Sequence, residues 1–475
     1  MNNFLKPFLL AVSLTFFLPL AGCSQDKEEY DYYLSDYEKD IIRPPSGTAD
    51  AWVTIIGGDV NGTYYVSPAG DDANSGSKDS PWATPAYGAS KLEPGDTLVI
   101  LPKAGSGRPV LAGSKNLASA IEIGAASHLR IENLEITSDN GKDFRDAVTA
   151  IDGLLENVVF KNLYIHHIDE FGINAADADG LEITDCVISY CGFGSIGGPA
   201  GQHGGLKNVK IDGCELSYAG HYYQGKDGAN RPYDRPDGFG IEASVGPIEI
   251  KNTASTHNYG DGLDSKAART WIHECVVANN SCDGVKLWGD SSKVENTLIY
   301  GRGDGSSEPT TWAAIVIETT KEDACIALTN LTVDDSLGEN YIMYVQYSEE
   351  FRNVPINLVI TNCIFSSRGP NSPIWLAPKV NPDINYNLFW FPQQDIILEH
   401  GDDTYDHSDV AGLGEGNLYA DPLFTATAWG SEGDYHLKAS SPAIDAGDST
   451  ITLTIDLDAK QRPQGGRIDI GCYER

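Results

Sequence analysis

The sequence predicts an all-β solenoid, one chain winding into stacked parallel coils, and three observations predict it. One phrase recurs three times, as Asp237-Gly-Phe-Gly-Ile-Glu242, Asp261-Gly-Leu-Asp-Ser-Lys266 and Asp283-Gly-Val-Lys-Leu-Trp288, with starts 24 and 22 residues apart. A fixed period of that size marks a coil that stacks on its neighbour. From about Ala120 to Arg368 a polar turn residue follows an alternating apolar run at positions 133, 162, 185, 213, 252, 274, 296, 330 and 362. The shortest steps are one bare coil, and longer ones carry loops. Within each phrase the alternation is that of a strand, so Phe239/Ile241, Leu263/Ser265 and Val285/Leu287 face the core. An up-and-down barrel or sandwich, the competing all-β reading, needs hairpin turns and leaves no constant period.

The N-terminus pairs Lys6 with the apolar run Phe8–Leu20 and then Leu20-Ala21-Gly22-Cys23, a secretion signal over 1–22. It resembles the lipobox of bacterial lipoproteins, which implies cleavage before Cys23, lipidation of its thiol, and a mature protein anchored at a bacterial outer membrane or cell surface without spanning it. Residues 23–50 are rich in Asp, Glu and Tyr and read as an acidic tether. Their start, Gln25-Asp-Lys-Glu-Glu29, is similar to surface-export signals of such lipoproteins.

Residues 51–400 are assigned to the helix and 401–475 to a C-terminal cap module. The segments Gly62–Gly76, Ser80–Thr84 and Pro94–Ile100 resemble the opening of secreted bacterial right-handed β-helices, where a strand, a short helix (here Ala83–Leu92) and a second strand cover the first coil. The predicted fold is therefore a single-stranded right-handed parallel β-helix with both ends capped. Asn at the recurring turn suits a left-handed backbone and bonds to its neighbours above and below. Cys186, Cys214, Cys275 and Cys363 follow four of these turns and form a buried column of small side chains. The phrases Asn417–Phe424, Ser440–Gly447 and Asp469–Glu474 are similar to a module that ends many bacterial surface β-helices, and no chemistry is expected there.

Composition limits the partners. A formal charge of −35 argues against nucleic acid, whose phosphates need clustered Lys and Arg. An acidic polysaccharide is compatible if cations gather locally, as Lys251, Lys266, Arg269, Lys286 and Lys293 do around the repeated phrase, and the chain is expected to act as a monomer. Outward positions form two columns, Gly240/Asp264/Lys286 and Glu242/Lys266/Trp288, beside a ladder of Asp237, Asp261 and Asp283. Two loops are expected beside this patch, Gly192–Gly205 and His221–Pro236. In the second, Tyr222, Tyr223, Tyr233, Lys226, Arg231 and Arg235 either wall a glycan groove or pack on the next coil. His166, His167, His203, His221, His257 and His273 read as turn or packing residues.

The patch resembles polysaccharide lyases, most nearly family nine of the pectate and rhamnogalacturonan lyases. The resemblance implies that Asp237, Asp261 and Asp264 hold calcium, with Asp283 on the same ladder, and that Lys286 in Gly284-Val-Lys-Leu-Trp-Gly289 is the base. Two departures stand out: Gly260 replaces a further aspartate, and Lys286 follows Asp264 by one coil instead of a longer gap. Elimination from a uronan removes the proton beside the sugar carboxylate, which a calcium ion would acidify by neutralising that carboxylate. Lys266 and Arg269, one coil away, are expected to lower the pKa of Lys286; Lys266 is also a second candidate base or a carboxylate clamp. Glu242, Trp288, Tyr223, Arg231 and Arg235 are the expected sugar contacts. Two alternatives remain at this point. A hydrolase would pair Glu242 with Asp264, and a glycan-binding helix would use the same patch without turnover.

Overall fold

The structure, a computed structural model, describes residues 51–55, 62–103, 107–112, 118–138, 144–222, 236–301, 313–319, 321, 323–335, 341–347, 355–369, 373–427 and 433–475. The signal segment 1–22, the tether 23–50 with Cys23, and Tyr223, Arg231 and Arg235 lie outside the described residues.

Each full coil lays down three strands, as in Leu263–Ala267, Thr270–His273 and Val276–Ala278. The first two kinds join a bent sheet of 24 strands and the third a sheet of 12. They are called here the front, second and third faces. Each strand pairs in parallel with its equivalent one coil on, Leu263 opposite Val285 for example, and parallel crossovers of this kind wind right-handed. The result is a right-handed parallel β-helix.

The alternation places the core as expected: Phe239, Ile241, Leu263, Ser265, Val285 and Leu287 are all buried. All nine recurring turn residues have left-handed backbone, from φ 44° at Asn296 to 67° at Gly213, a region that Gly, Asn and Asp tolerate best. Their side chains tie coil to coil: Asn252 Nδ2 donates to Asp212 Oδ1 at 2.9 Å, and Asn362 Nδ2 to Asn330 Oδ1 at 3.2 Å. Cys186, Cys214, Cys275 and Cys363 are buried free thiols, and burial pushes Cys275 and Cys363 up to about 12. At the N-terminal end, Thr84 caps the helix Pro85–Ala89, shorter than expected. Beside it Thr63–Val66 pairs in parallel with Thr97–Ile100. The strand Ala51–Ile55 pairs antiparallel with Thr97–Ile100 and Leu129–Glu132, closing that edge.

Two regions depart from the sequence-based expectations. Gly194–Gly198, expected within a loop, is a front-face strand between those of Phe171 and Asp237. Ile196 fills the inward slot in register with Ile173 and Phe239. Outward Gly197 is needed because a Cβ there would meet the Phe171 ring at 2.6 Å.

The C-terminal region is the second departure, because it covers a flank as well as the end. The hairpin of Ile396–His400 and Asp403–Asp406, with buried Val410, closes the core. The chain then returns over the third face, where Tyr435, Leu437, Ala443, Ile470 and Cys472 pack with Ala278, Leu298, Tyr300, Ile364 and Leu388. Asn330 Nδ2 donates to the carbonyls of Asp469 (3.0 Å) and Gly471 (2.9 Å). Arg462 donates to Asn296 Oδ1 at 3.0 Å and to Glu474 Oε2 at 3.1 Å, with the side chains of Arg462 and Glu474 fully buried. Turn residues that in earlier coils tie one coil to the next here also clamp the tail.

Candidate active site

The front face aligns Gly240 with Asp264 and Asp264 with Lys286, as expected. The second column is interrupted by a register slip between Ile241 and Ser244. Lys266 Nζ nevertheless donates to Glu242 Oε1 at 2.8 Å and lies 5.6 Å over the Trp288 ring.

The aspartate ladder is built on backbone. Asp237 Oδ1 accepts the N–H of Asp261 (2.7 Å), Asp261 Oδ1 that of Asp283 (2.8 Å), and Asp283 Oδ1 that of Ala313 (3.0 Å). Asp at the start of each of these three front-face phrases thus satisfies a donor of the next coil, which fixes one carboxylate oxygen, while the other oxygen of Asp261 accepts from Lys286. Gly240 is required beside Asp237, since a Cβ there would come within 2.4 Å of Asp237 Oδ2. Carboxylate oxygens of Asp237, Asp261 and Asp264 lie within 4.8 Å of one another. Asp283, expected with them, falls outside that group. Lys286 Nζ stands 3.0 Å from Asp261 Oδ2 and 3.2 Å from Asp264 Oδ2, its side chain only 12% exposed.

These contacts reverse the expected electrostatics of the lysine. Burial pushes the Lys286 ammonium down, but the Asp261 and Asp264 carboxylates more than compensate, so its pKa is raised. Lys266 is raised too, its burial outweighed by Asp264 and Glu242. The expectation rested on neighbouring cations, whereas the nearest charges are anions. Arg269 takes no part, since it is exposed at the turn between Leu263–Ala267 and Thr270–His273. Burial, together with Asp261 and Asp264, holds the Asp237 carboxyl well above the usual range. Burial also raises Asp264, whose Oδ1 is buried with no hydrogen-bond partner among the described residues. Three crowded hard oxygen donors, one of them orphaned, fit a calcium-type cation.

Beyond the repeated phrase the same columns continue. Lys286 aligns with Val316, Tyr344 and then Trp375, and Trp288 with Glu318 and Gln346. Tyr344 and Trp375 stack at 4.4 Å, while Gln346 Nε2 donates to Glu318 Oε2 at 2.7 Å. These rungs lack Asp-Gly, which is why motif reading passed over them. The alternation of Ala313–Thr319 and Tyr341–Tyr347 was the available signal.

The histidines behave as turn and packing residues. His167 and His257 have left-handed backbone, and His167, Tyr190, Tyr218 and His257 form one ring stack. Tyr222, which opens the second loop, donates from its hydroxyl to the Ser138 carbonyl at 3.0 Å and so packs on the coils.

No family model matches the chain. A pectate disaccharide-lyase of Dickeya chrysanthemi is 25% identical over 271 residues, 51% of this chain and 31% of that protein. The chain thus spans about a third of the length of the curated relative it matches. Among solved structures, XylC in its complex with xylose superposes with a TM-score of 0.56 at 10% identity, covering 87% of this chain and 99% of that one. Pectate lyase Pel9A superposes with a TM-score of 0.46 at 13% identity, covering 88% and 97%. The chain is a parallel β-helix that resembles the polysaccharide lyases.

Proposed function

We propose that this protein cleaves an acidic polysaccharide of the uronan or pectin class by β-elimination on its front face. The observation that carries the reading is the meeting of Asp237, Asp261 and Asp264 around Lys286. The partial identity to a pectate disaccharide-lyase supports it.

Asp237, Asp261 and Asp264 would hold a calcium ion, with Asp283 positioning Ala313 and hence the next coil. When bound, that ion neutralises the substrate carboxylate and so acidifies the neighbouring C–H. Lys286 is the base that takes this proton. Its raised pKa has a definite cause, two carboxylates at ion-pair distance, so aspartates engaged with another cation hold the ammonium less firmly. Lys266, bridging Glu242 and the Trp288 face, orients the sugar carboxylate or the ring beside it.

The test is a screen of acidic polysaccharides with and without EDTA, following ultraviolet absorbance of unsaturated ends. Calcium-dependent absorbance is expected in the wild type and should be lost in Lys286→Ala. Saturated reducing ends would instead assign a hydrolase, and retention without products a binding protein. We also propose that Cys23 is lipidated and anchors the chain at the cell surface. Incorporation of labelled palmitate that persists in Cys23→Ser would refute this.

A further inference from the structure

Elimination places negative charge at two points, the carbon that loses its proton and the oxygen that leaves. The site described above supplies a group for the first and none for the second. An alkoxide is a poor leaving group in water, so a positioned acid beside it is worth about 10²–10⁴ in rate.

We propose that Glu318 is that acid, delivering its proton to the glycosidic oxygen as Lys286 removes the proton beside the carboxylate; this rests on the elimination reading above. Glu318 lies in the front-face strand Ala313–Thr319, directly opposite Trp288. Lys286 is opposite Val316, two residues back. Both side chains point outward, so Glu318 is the diagonal neighbour of Lys286 on the next rung. Diagonal neighbours on adjacent strands are about 7–8 Å apart. Lys286 and Lys266 both act through space on the Glu318 carboxyl, and a sugar ring laid across the two rungs would reach Lys286 and Glu318 together.

Of the other carboxyls nearby, Asp237 is assigned to the calcium site and the following are paired with cations. Glu242 is paired with Lys266, Asp290 with Lys321, and Asp261 and Asp264 with Lys286. Glu318 instead accepts from a neutral amide, Gln346 Nε2, which occupies Oε2. A neutral donor positions the carboxyl and favours its ionised form less than a directly paired ammonium would. Burial raises its pKa, with help from Asp264 and against the opposing pulls of Gln346, Lys286 and Lys266, so the acid form persists to higher pH than in an exposed glutamate.

The step balances. The C–H electron pair becomes the second bond of C4=C5 as the C4–O bond breaks, Lys286 Nζ gains one proton, and the departing oxygen gains one from Glu318. Both groups then exchange protons with water, and no oxidant or cofactor is consumed.

The experiment compares wild type and Glu318→Gln on two substrates by unsaturated-product absorbance. One is polygalacturonate, or whichever acidic polysaccharide the screen selects. The other is a short uronide bearing a nitrophenoxy group at C4, which departs without needing a proton. Expected is a loss of about 10²–10⁴ in kcat on the polymer, with KM little changed, and near wild-type kcat on the nitrophenoxy substrate. Unchanged kcat on the polymer, or an equal loss on both substrates, overturns the assignment while leaving the elimination reading intact. Saturated products from the wild type would overturn that reading and this inference together. Equal melting temperatures for the two proteins, expected for an isosteric change at a partly buried surface position, exclude misfolding as the cause of the loss.

Discussion

Coils Asp237–Trp288 and coils Ala313–Trp390 share one backbone plan and carry different chemistry. On the front face of the earlier coils, outward positions hold Asp264, Lys286 and Lys266; on the later ones they hold Val316, Tyr344 and Trp375. The inward positions of both are buried and mostly aliphatic or aromatic, with Ser265 an exception in the earlier coils. On the third face the tail packs on residues from Ala278, in the last of the earlier coils, to Leu388. A solenoid separates the two demands because side chains alternate across each strand: the inward set stacks the coils, and the outward set is free to specialise.

The largest test of this division is Lys286→Ala. It should remove turnover by about 10²–10⁴ in steady-state kinetics, and, because buried Asp261 and Asp264 lose their cation, it should also lower the melting temperature in chelator, a loss that added calcium should offset. Arg462→Ala attacks the other region. It leaves buried Glu474 without its cation, a change that costs about 3–5 kcal/mol in such pairs, and urea titration should record that loss. Calcium affinity and kcat below the transition should persist, because the described tail residues pack on the third face and its turns. If activity falls in step with tail stability, the two regions form one unit and the comparison fails.

Asp237→Asn should separate stability from function within the site. A carboxyl whose folded pKa is raised costs the fold stability as pH climbs above the ordinary carboxylate range, since the unfolded chain ionises first. In chelator, Asp237→Asn should therefore melt higher than wild type near neutral pH, with the advantage shrinking toward the acid side. The amide oxygen can still accept from Asp261 N–H. The same variant should bind calcium more weakly by calorimetry. A lower melting temperature in chelator would show that burial of Asp237 carries no penalty. Trp375→Ala, three rungs from Lys286, should give the smallest effect: a higher KM for long chains, with short oligosaccharides and kcat unaffected.

Much of this was legible in the chain because stacking repeats local rules. Asn at position 252 or 330 signals a left-handed turn by its own preference, and Phe239 and Ile241 declare an inward face by alternation. The Asp-Gly phrases located Asp237, Asp261 and Asp264 together because a period converts sequence separation into vertical neighbourhood. Glu318 was missed for the opposite reason. Its rung arrives after an insertion that breaks the period, and a single outward Glu carries no local mark. Arg269 was misplaced because a residue two positions past a strand end turns away from the face its predecessors line.

The sequence by itself determined the coil, its inward and outward columns and the ladder of aspartates, since each depends on periods of two and of about 22 that any stretch carries within itself. Only the tertiary structure decided the charge state of Lys286 and the path of the tail. The first depends on which oppositely charged atoms come within about 3 Å under partial burial. The second depends on contacts such as Asn296 with Arg462, between residues far apart in the chain and brought together only when the coils are already stacked.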